Sequence, residues 1–313
     1  MASPTRILIL GGGFGGVYAA LEFEKALARD SSIEVTLVNR ENFFLFTPML
    51  HEVAASDLDV THIVNPIRKL LRKVRFFDGD VEGIDLENRQ VCVSHGIGDT
   101  HPHALEYDHL VLALGSTTNF FGLPGLEERA LTMKSLSDAI TLRSRLIAHL
   151  EEADFECAAG ERDQLLTFVV AGGGFAGVET IAGINDFLRE ALEFYPHLSE
   201  ELIRVVLVHP GEVILPELGA KLGLYAQRKL SERRVEIRTN TKVTGVTGDA
   251  VQLSDGTTIP TKTLIWTAGT SSEPPAIGAA LPQRARPGGS GRIPGHARVA
   301  GALGARRLRH GSR

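Results

Sequence analysis

Two glycine clusters carry the clearest chemistry in the chain. Gly11-Gly12-Gly13-Phe14-Gly15-Gly16 sets Gly11, Gly13 and Gly16 at the spacing G-x-G-x-x-G, and Gly172, Gly174 and Gly177 repeat that spacing 161 residues later. A pyrophosphate must lie against backbone N–H groups at a helix N-terminus. Only glycine lets the backbone approach so closely, turn so tightly and pack the helix onto its strand. Phe14 and Gly15 belong to the same candidate set. One such loop is weak evidence; two, each between a strand and a helix, point to dinucleotide binding twice over. The ribose contacts are less regular. The fingerprint wants an acid at the end of the second strand, but the first half offers Asn39 followed by Arg40, and the second offers His209. Asparagine accepts more weakly than a carboxylate. An imidazole neither repels nor strongly attracts a 2′-phosphate, so the choice between NADH and NADPH stays open.

The elements that must position these loops are duplicated. Residues 6–10 and 166–170 are short apolar runs fit for strands buried on both faces. After each glycine loop a helical pattern follows, then a second strand at 33–38 or 203–208. Each half closes alike, with Asp108–Gly115 in the first and Thr263–Gly269 in the second. Before each closing strand lie short alternating segments with Asp78-Gly79 or Asp255-Gly256 as turn signals. The fold class is therefore α/β, with two Rossmann-like dinucleotide-binding domains. Residues 1–118 make the first and 165–270 the second. Residues 119–164 form a crossing region with a helix from Ser135 to Glu152, and 271–313 a return segment and tail.

Composition excludes several classes. A net charge of −5 gives no general reason to expect nucleic acid. No apolar run is long enough to span a bilayer, and the N-terminus lacks a signal peptide, which points to the cytoplasm. Cys92 and Cys157 are too few and too far apart for a disulfide framework or a redox pair. His101-Pro102-His103 has no cysteine or carboxylate at ligand spacing, so no metal is expected.

These motifs resemble type II NADH dehydrogenases, within the flavoproteins that carry two dinucleotide folds. The resemblance runs from about Arg6 to Pro282, and its most specific piece is the stretch from Asn42 to Ala54, which includes Phe46-Thr47-Pro48. It implies FAD in the first half, NADH in the second, and a quinone as electron acceptor in a respiratory chain. By the same resemblance Thr47 and Pro48 border the isoalloxazine, Val81 meets the adenine through its backbone, and Ala113, Gly115, Ala268 and Gly269 complete the cofactor sites. Glu179 corresponds to the family's carboxylate beside nicotinamide and flavin. His51 could hand a proton to the flavin but reads as a polar loop residue. The family is membrane-peripheral, and a homodimer is allowed. Ile181 and Ala182 stand where smaller residues are usual and are expected to loosen helix packing.

After Pro282 the resemblance stops. Residues 283–313 hold eight arginines, no lysine and no acid. One permitted codon choice, read one base on, yields strings resembling the family's Gly-Asp flavin segment. The tail is thus expected to be a frame-shifted product, with part of the flavin site, the quinone contacts and the membrane anchor lost. Two other readings compete with the NADH:quinone reductase. One is a nucleotide-binding remnant with little turnover. The other is a sulfide:quinone or disulfide reductase relative, against which stands the lack of cysteine between Asn42 and Val53.

Overall fold

The apolar run Ile7-Leu8-Ile9-Leu10 forms strand β1 (Thr5–Leu10), where all four side chains are buried. A strand covered on both faces needs that pattern rather than alternation. The structure is a computed structural model that describes residues 4–27, 30–96, 101–155 and 161–272. Cys157 and the arginine-rich tail lie outside the described residues.

In the first half β1 is followed by α1 (Phe14–Leu27), β2 (Ile33–Asn39), β3 (Phe43–Leu45), α2 (Leu50–Ala54), β4 (Val64–Pro66), α3 (Ile67–Leu70) and β5 (Arg75–Asp78). A meander of β6 (Asp80–Asp85), β7 (Gln90–His95) and β8 (His101–Glu106) then leads to β9 (His109–Leu112) and β10 (Ser116–Thr118). The crossing holds α4 (Leu126–Arg129), α5 (Leu136–Asp154) and α6 (Arg162–Leu165). The second half repeats the plan with β11 (Thr167–Ala171), α7 (Phe175–Ala191), β12 (Arg204–Val208), α8 (Ala220–Glu232) and β13 (Val235–Arg238). It ends with the meander β14 (Val243–Val246), β15 (Ala250–Leu253), β16 (Thr258–Pro260), then β17 (Thr263–Trp266) and β18 (Thr270–Ser272).

Two four-stranded parallel sheets result, ordered β5-β2-β1-β9 and β13-β12-β11-β17. The order is the same in both, and each closing strand lies beside the strand that leads into its glycine loop. Both glycine loops therefore open at the carboxyl ends of their sheets, where ligands of this architecture bind.

The crossing helix α5 forms for local reasons. Ser135 and Asp138 make a reciprocal capping box, and Ala139, Leu142, Leu146, Leu150 and Ala153 repeat at three and four residues to give one buried face. That face does not belong to one half alone. The largest core joins Leu50, Val53 and Ala54 of α2 to Leu142 and Leu146 of α5 and to Ile181 and Ile184 of α7. Ile181, expected to loosen packing, is fully buried there and fills the space. A second link is a two-stranded antiparallel ribbon in which Ser116 pairs with Ser272 and Thr118 with Thr270.

Candidate functional site

Gly11 leaves β1 with φ +104, a left-handed conformation that suits glycine. Its N–H donates to the Val38 carbonyl at 2.8 Å. A Cβ on Gly16, the last loop glycine, would overlap the Gly11 carbonyl, which is how α1 packs directly on the strand end. Gly172 and Gly177 repeat this construction, with φ +119 at Gly172 and the Gly172 carbonyl beneath Gly177. By contrast, a Cβ on Gly13 would meet nothing within 4 Å, and one on Gly174 only the Glu217 Oε1 at 3.9 Å. The middle glycine of each loop faces open space at a helix N-terminus. A pyrophosphate fits that space, and a methyl group would fill it.

The residues after the second strands prove to be pins. Asn39 Oδ1 accepts from the Gly12 N–H at 2.7 Å, and its Nδ2 donates to the Glu41 carbonyl at 2.8 Å. In the second half the His209 Nδ1 accepts from the Gly173 N–H at 3.0 Å. A Cβ on Gly12 would stand 2.6 Å from Asn39, and one on Gly173 would stand 2.7 Å from His209. Gly12 and Gly173 were absent from the sequence-derived set, because the fingerprint leaves their position free. The signal was the third consecutive glycine in each loop.

A cleft of about 640 Å³ at the first loop is lined by Gly12, Gly13, Asn39, Arg40, Thr47, Lys134, Ser135 and Thr141. It joins the ribose-end residues to Thr47, the first residue of a short turn with Pro48. Arg40 faces Asp80 at 3.3 Å. Phe14 sets its ring edge against Phe44, with centroids 5.0 Å apart. Lys134, Ser135 and Thr141 come from the crossing region and were not foreseen; a lysine before a capping box looks like ordinary surface. Burial pushes the Lys134 ammonium down from its usual range, and its Nζ reaches Ser116 Oγ at 3.3 Å. Val81 lies on β6 opposite Val93, outside this lining, as do Ala113 and Gly115. Ala113 instead donates from its N–H to the Leu10 carbonyl at 2.8 Å, and Gly115 turns with φ +82.

The second loop borders a cavity of about 360 Å³ whose lining includes Gly172, Val208, Lys242, Trp266 and Ala268. Gly269 turns with φ +83, just as Gly115 does. Thr267, also unforeseen, donates from Oγ1 to the Ala171 carbonyl at 2.9 Å and locks the closing strand to the loop.

Between the halves stands Glu179. It is the fifth residue of α7 and half-exposed, and its Oε2 lies 3.7 Å from His51 Nδ1. A first-turn acid held only by the helix dipole does not describe it. His51 is not a loop residue either: it sits in α2, mostly buried, with Nε2 3.3 Å from Glu52 Oε1. The Asn42–Ala54 stretch is thus brought against the second half through this pair.

His95 joins His101 and His103 on one face of the first meander, with 2.8 Å between the Nε2 atoms of His95 and His103. Among the described residues no group of three or more histidines, cysteines and carboxylates has a geometry that could hold a metal ion. Among them Cys92 is a free, buried cysteine.

Comparison with known proteins agrees with this construction. The chain is 35% identical over 289 residues to the type II NADH:quinone oxidoreductase Ndh of Mycobacterium tuberculosis, covering 90% of this chain and 60% of that protein. It is 32% identical over 282 residues to the mitochondrial external alternative NAD(P)H-ubiquinone oxidoreductase B4 of Arabidopsis thaliana, covering 86% and 47%. The chain thus spans about 60% or less of the length of these curated relatives. Among solved structures, NDH2 from Plasmodium falciparum in complex with NADH has a similar fold, with a TM-score of 0.78 at 24% identity over 86% of this chain and 56% of that one. The sulfide:quinone oxidoreductase of Aquifex aeolicus shares the fold at a TM-score of 0.66 and 20% identity, covering 87% and 60%. The family model of the pyridine nucleotide-disulphide oxidoreductases matches residues 5–288, across both glycine loops and both sheets, and the chain belongs to that family.

Proposed function

We propose that this chain carries the two nucleotide sites of an FAD-dependent NADH:quinone oxidoreductase, with FAD at the first loop and the nicotinamide nucleotide at the second. The observation that carries the reading is the pair of glycine loops, each with its middle glycine facing open space at a helix N-terminus. The names of the relatives, which join NADH or NAD(P)H to quinone or ubiquinone, support it over a remnant without turnover. A sulfide or disulfide reductase would need redox cysteines beside the flavin, and the Asn42–Val53 stretch has none.

A bound flavin supplies the chemistry, accepting hydride and passing electrons on. The chain binds and orients. Backbone N–H groups of Gly13 to Gly16 and the positive end of α1 would hold the first pyrophosphate, and those of Gly174 to Gly177 with α7 would hold the second. Thr47 and Pro48, on the turn that α2 continues, border the flavin ring. Glu179, 3.7 Å from His51, stands between the two sites, where its carboxylate would position the nicotinamide. Among the described residues no helix is long and apolar enough to cross a membrane. Attachment to the cytoplasmic face of a membrane and assembly as a homodimer are part of the same proposal, carried from the family.

Reconstitution tests it. Purified chain loaded with FAD is expected to show a flavin absorbance band that anaerobic NADH bleaches and a soluble quinone restores. Bound FAD that NADH leaves unbleached would overturn the hydride step.

A further inference from the structure

The ribose end of the second site lacks the group that ordinarily sorts NADH from NADPH. A carboxylate after the second strand accepts from the ribose diol and repels a 2′-phosphate. Here His209 follows β12, and its Nδ1 is used by the Gly173 N–H at 3.0 Å. The hydrogen must then sit on Nε2, on the side of the ring that meets the Val213 backbone and faces Gly211, where a Cβ would lie 2.8 Å from Nε2. Burial lowers the imidazole's proton affinity, and the Gly173 N–H on Nδ1 requires that nitrogen to be unprotonated. Both nitrogens serve the loop. His209 therefore offers the ribose neither an acceptor nor a negative charge.

The adjoining cavity has one charged residue in its lining, and it is positive. Lys242 stands there with Val208, Pro210, Thr241 and Trp266. Its backbone N–H is fixed by Ser254 Oγ at 2.9 Å, and among the described residues its exposed ammonium makes no hydrogen bond or ion pair. Glu217, the carboxylate that acts on His209, lies toward Gly174 and is not in the cavity lining. We infer that the second site takes a 2′-phosphorylated nicotinamide dinucleotide, NADPH, at least as readily as NADH, with Lys242 as the phosphate's partner and His209 as a structural pin. This rests on the assignment of the second half to the nicotinamide nucleotide.

Equilibrium titration of the purified chain with NADH and NADPH, and displacement by 2′,5′-ADP and 5′-AMP, tests it. NADPH is expected to bind as tightly as NADH or more tightly at low salt, with the difference shrinking as salt is added. 2′,5′-ADP should displace better than 5′-AMP. Lys242→Gln, at an exposed position, should weaken NADPH and 2′,5′-ADP by about tenfold more than it weakens NADH and 5′-AMP. His209→Glu keeps an acceptor for the Gly173 N–H and should turn the preference toward NADH by about tenfold. Unmodified chain that binds NADH tenfold tighter than NADPH overturns the inference and leaves the nicotinamide assignment standing. An equal loss of both dinucleotides in Lys242→Gln overturns the role of Lys242. Binding of neither dinucleotide overturns the assignment underneath.

Discussion

Gly13 and Gly16 stand three residues apart, yet a methyl group on each meets opposite surroundings. On Gly13 it enters open space; on Gly16 it collides with the Gly11 carbonyl. Gly13→Ala is therefore expected to keep the melting temperature of the unliganded chain and to lose flavin, read as the flavin-to-protein absorbance ratio. Gly16→Ala should destabilise by on the order of 3 kcal/mol whether or not flavin is present. Gly174→Val should abolish nicotinamide nucleotide binding in a titration while flavin content is unchanged. Full flavin content in Gly13→Ala would refute the assignment of the first loop. His149 supplies a pH dependence. Burial against β17 lowers its pKa from 6.5 to about 4, and its Nδ1 lies 3.1 Å from Thr263 Oγ1. In the unfolded chain the imidazole protonates near the higher value, so acid favours unfolding once the pH drops below 6.5. The stability given by the neutral ring is present above that pH and is lost progressively toward pH 4. Melting curves between pH 7 and 4 should show this fall, and His149→Gln should flatten it.

At the scale of elements, the short helix α2 has the largest reach. It packs against α5 and α7, and the turn that bears Thr47 and Pro48 leads into it. Leu50 is buried in that shared core and is not in the lining of the first cleft. Leu50→Ala should cost about 2–5 kcal/mol in denaturant unfolding and should also weaken flavin retention, because the Thr47 turn rides on it. Unchanged flavin affinity in a destabilised Leu50→Ala protein would separate the two. The inner parallel strands β1, β2, β11 and β12, the closing strands and helices α1, α5 and α7 are readable in the sequence, whereas the outer strands β5 and β13 and helix α8 carry no comparable motif. Apolar runs such as Ile7–Leu10 fit a strand buried on both faces, and the three-and-four spacing of Ala139, Leu142, Leu146, Leu150 and Ala153 fits one helix face. Helix α2 is not readable there, since five residues are too few to show a period. Nor is the contribution of Lys134 and Thr141 to the first cleft, or the meeting of His51 with Glu179. Those depend on how the crossing folds back on the first half, and no local spacing encodes that. Asn39 and His209 read as candidate ribose contacts in the sequence, and their bonds to Gly12 and Gly173 are not legible there because they form only once the loop closes.

The whole molecule should behave as one cooperative body, although its repeat suggests two. The core that holds Leu50 and Val53 with Ile181 and Ile184 belongs to neither half alone. Trp266, the single tryptophan, is buried in the second half and reports its unfolding, while bound flavin reports the first. Tryptophan emission, flavin release and far-ultraviolet ellipticity are expected to share one thermal midpoint. Separate midpoints would mean that the shared core contributes little. The ribbon of Ser116–Thr118 with Thr270–Ser272 adds a mechanical constraint. Gly115 and Gly269 each precede one of its strands, with φ of +82 and +83. They make the same turn at the exit of each sheet, so the two ribbon strands leave their sheets alike. Sliding one half past the other would break the ribbon's cross-strand bonds together, and twisting would pull apart the core that α2 and α5 share with α7. The halves are thus fastened at two separate places, a clamp that holds the spacing of the two nucleotide sites.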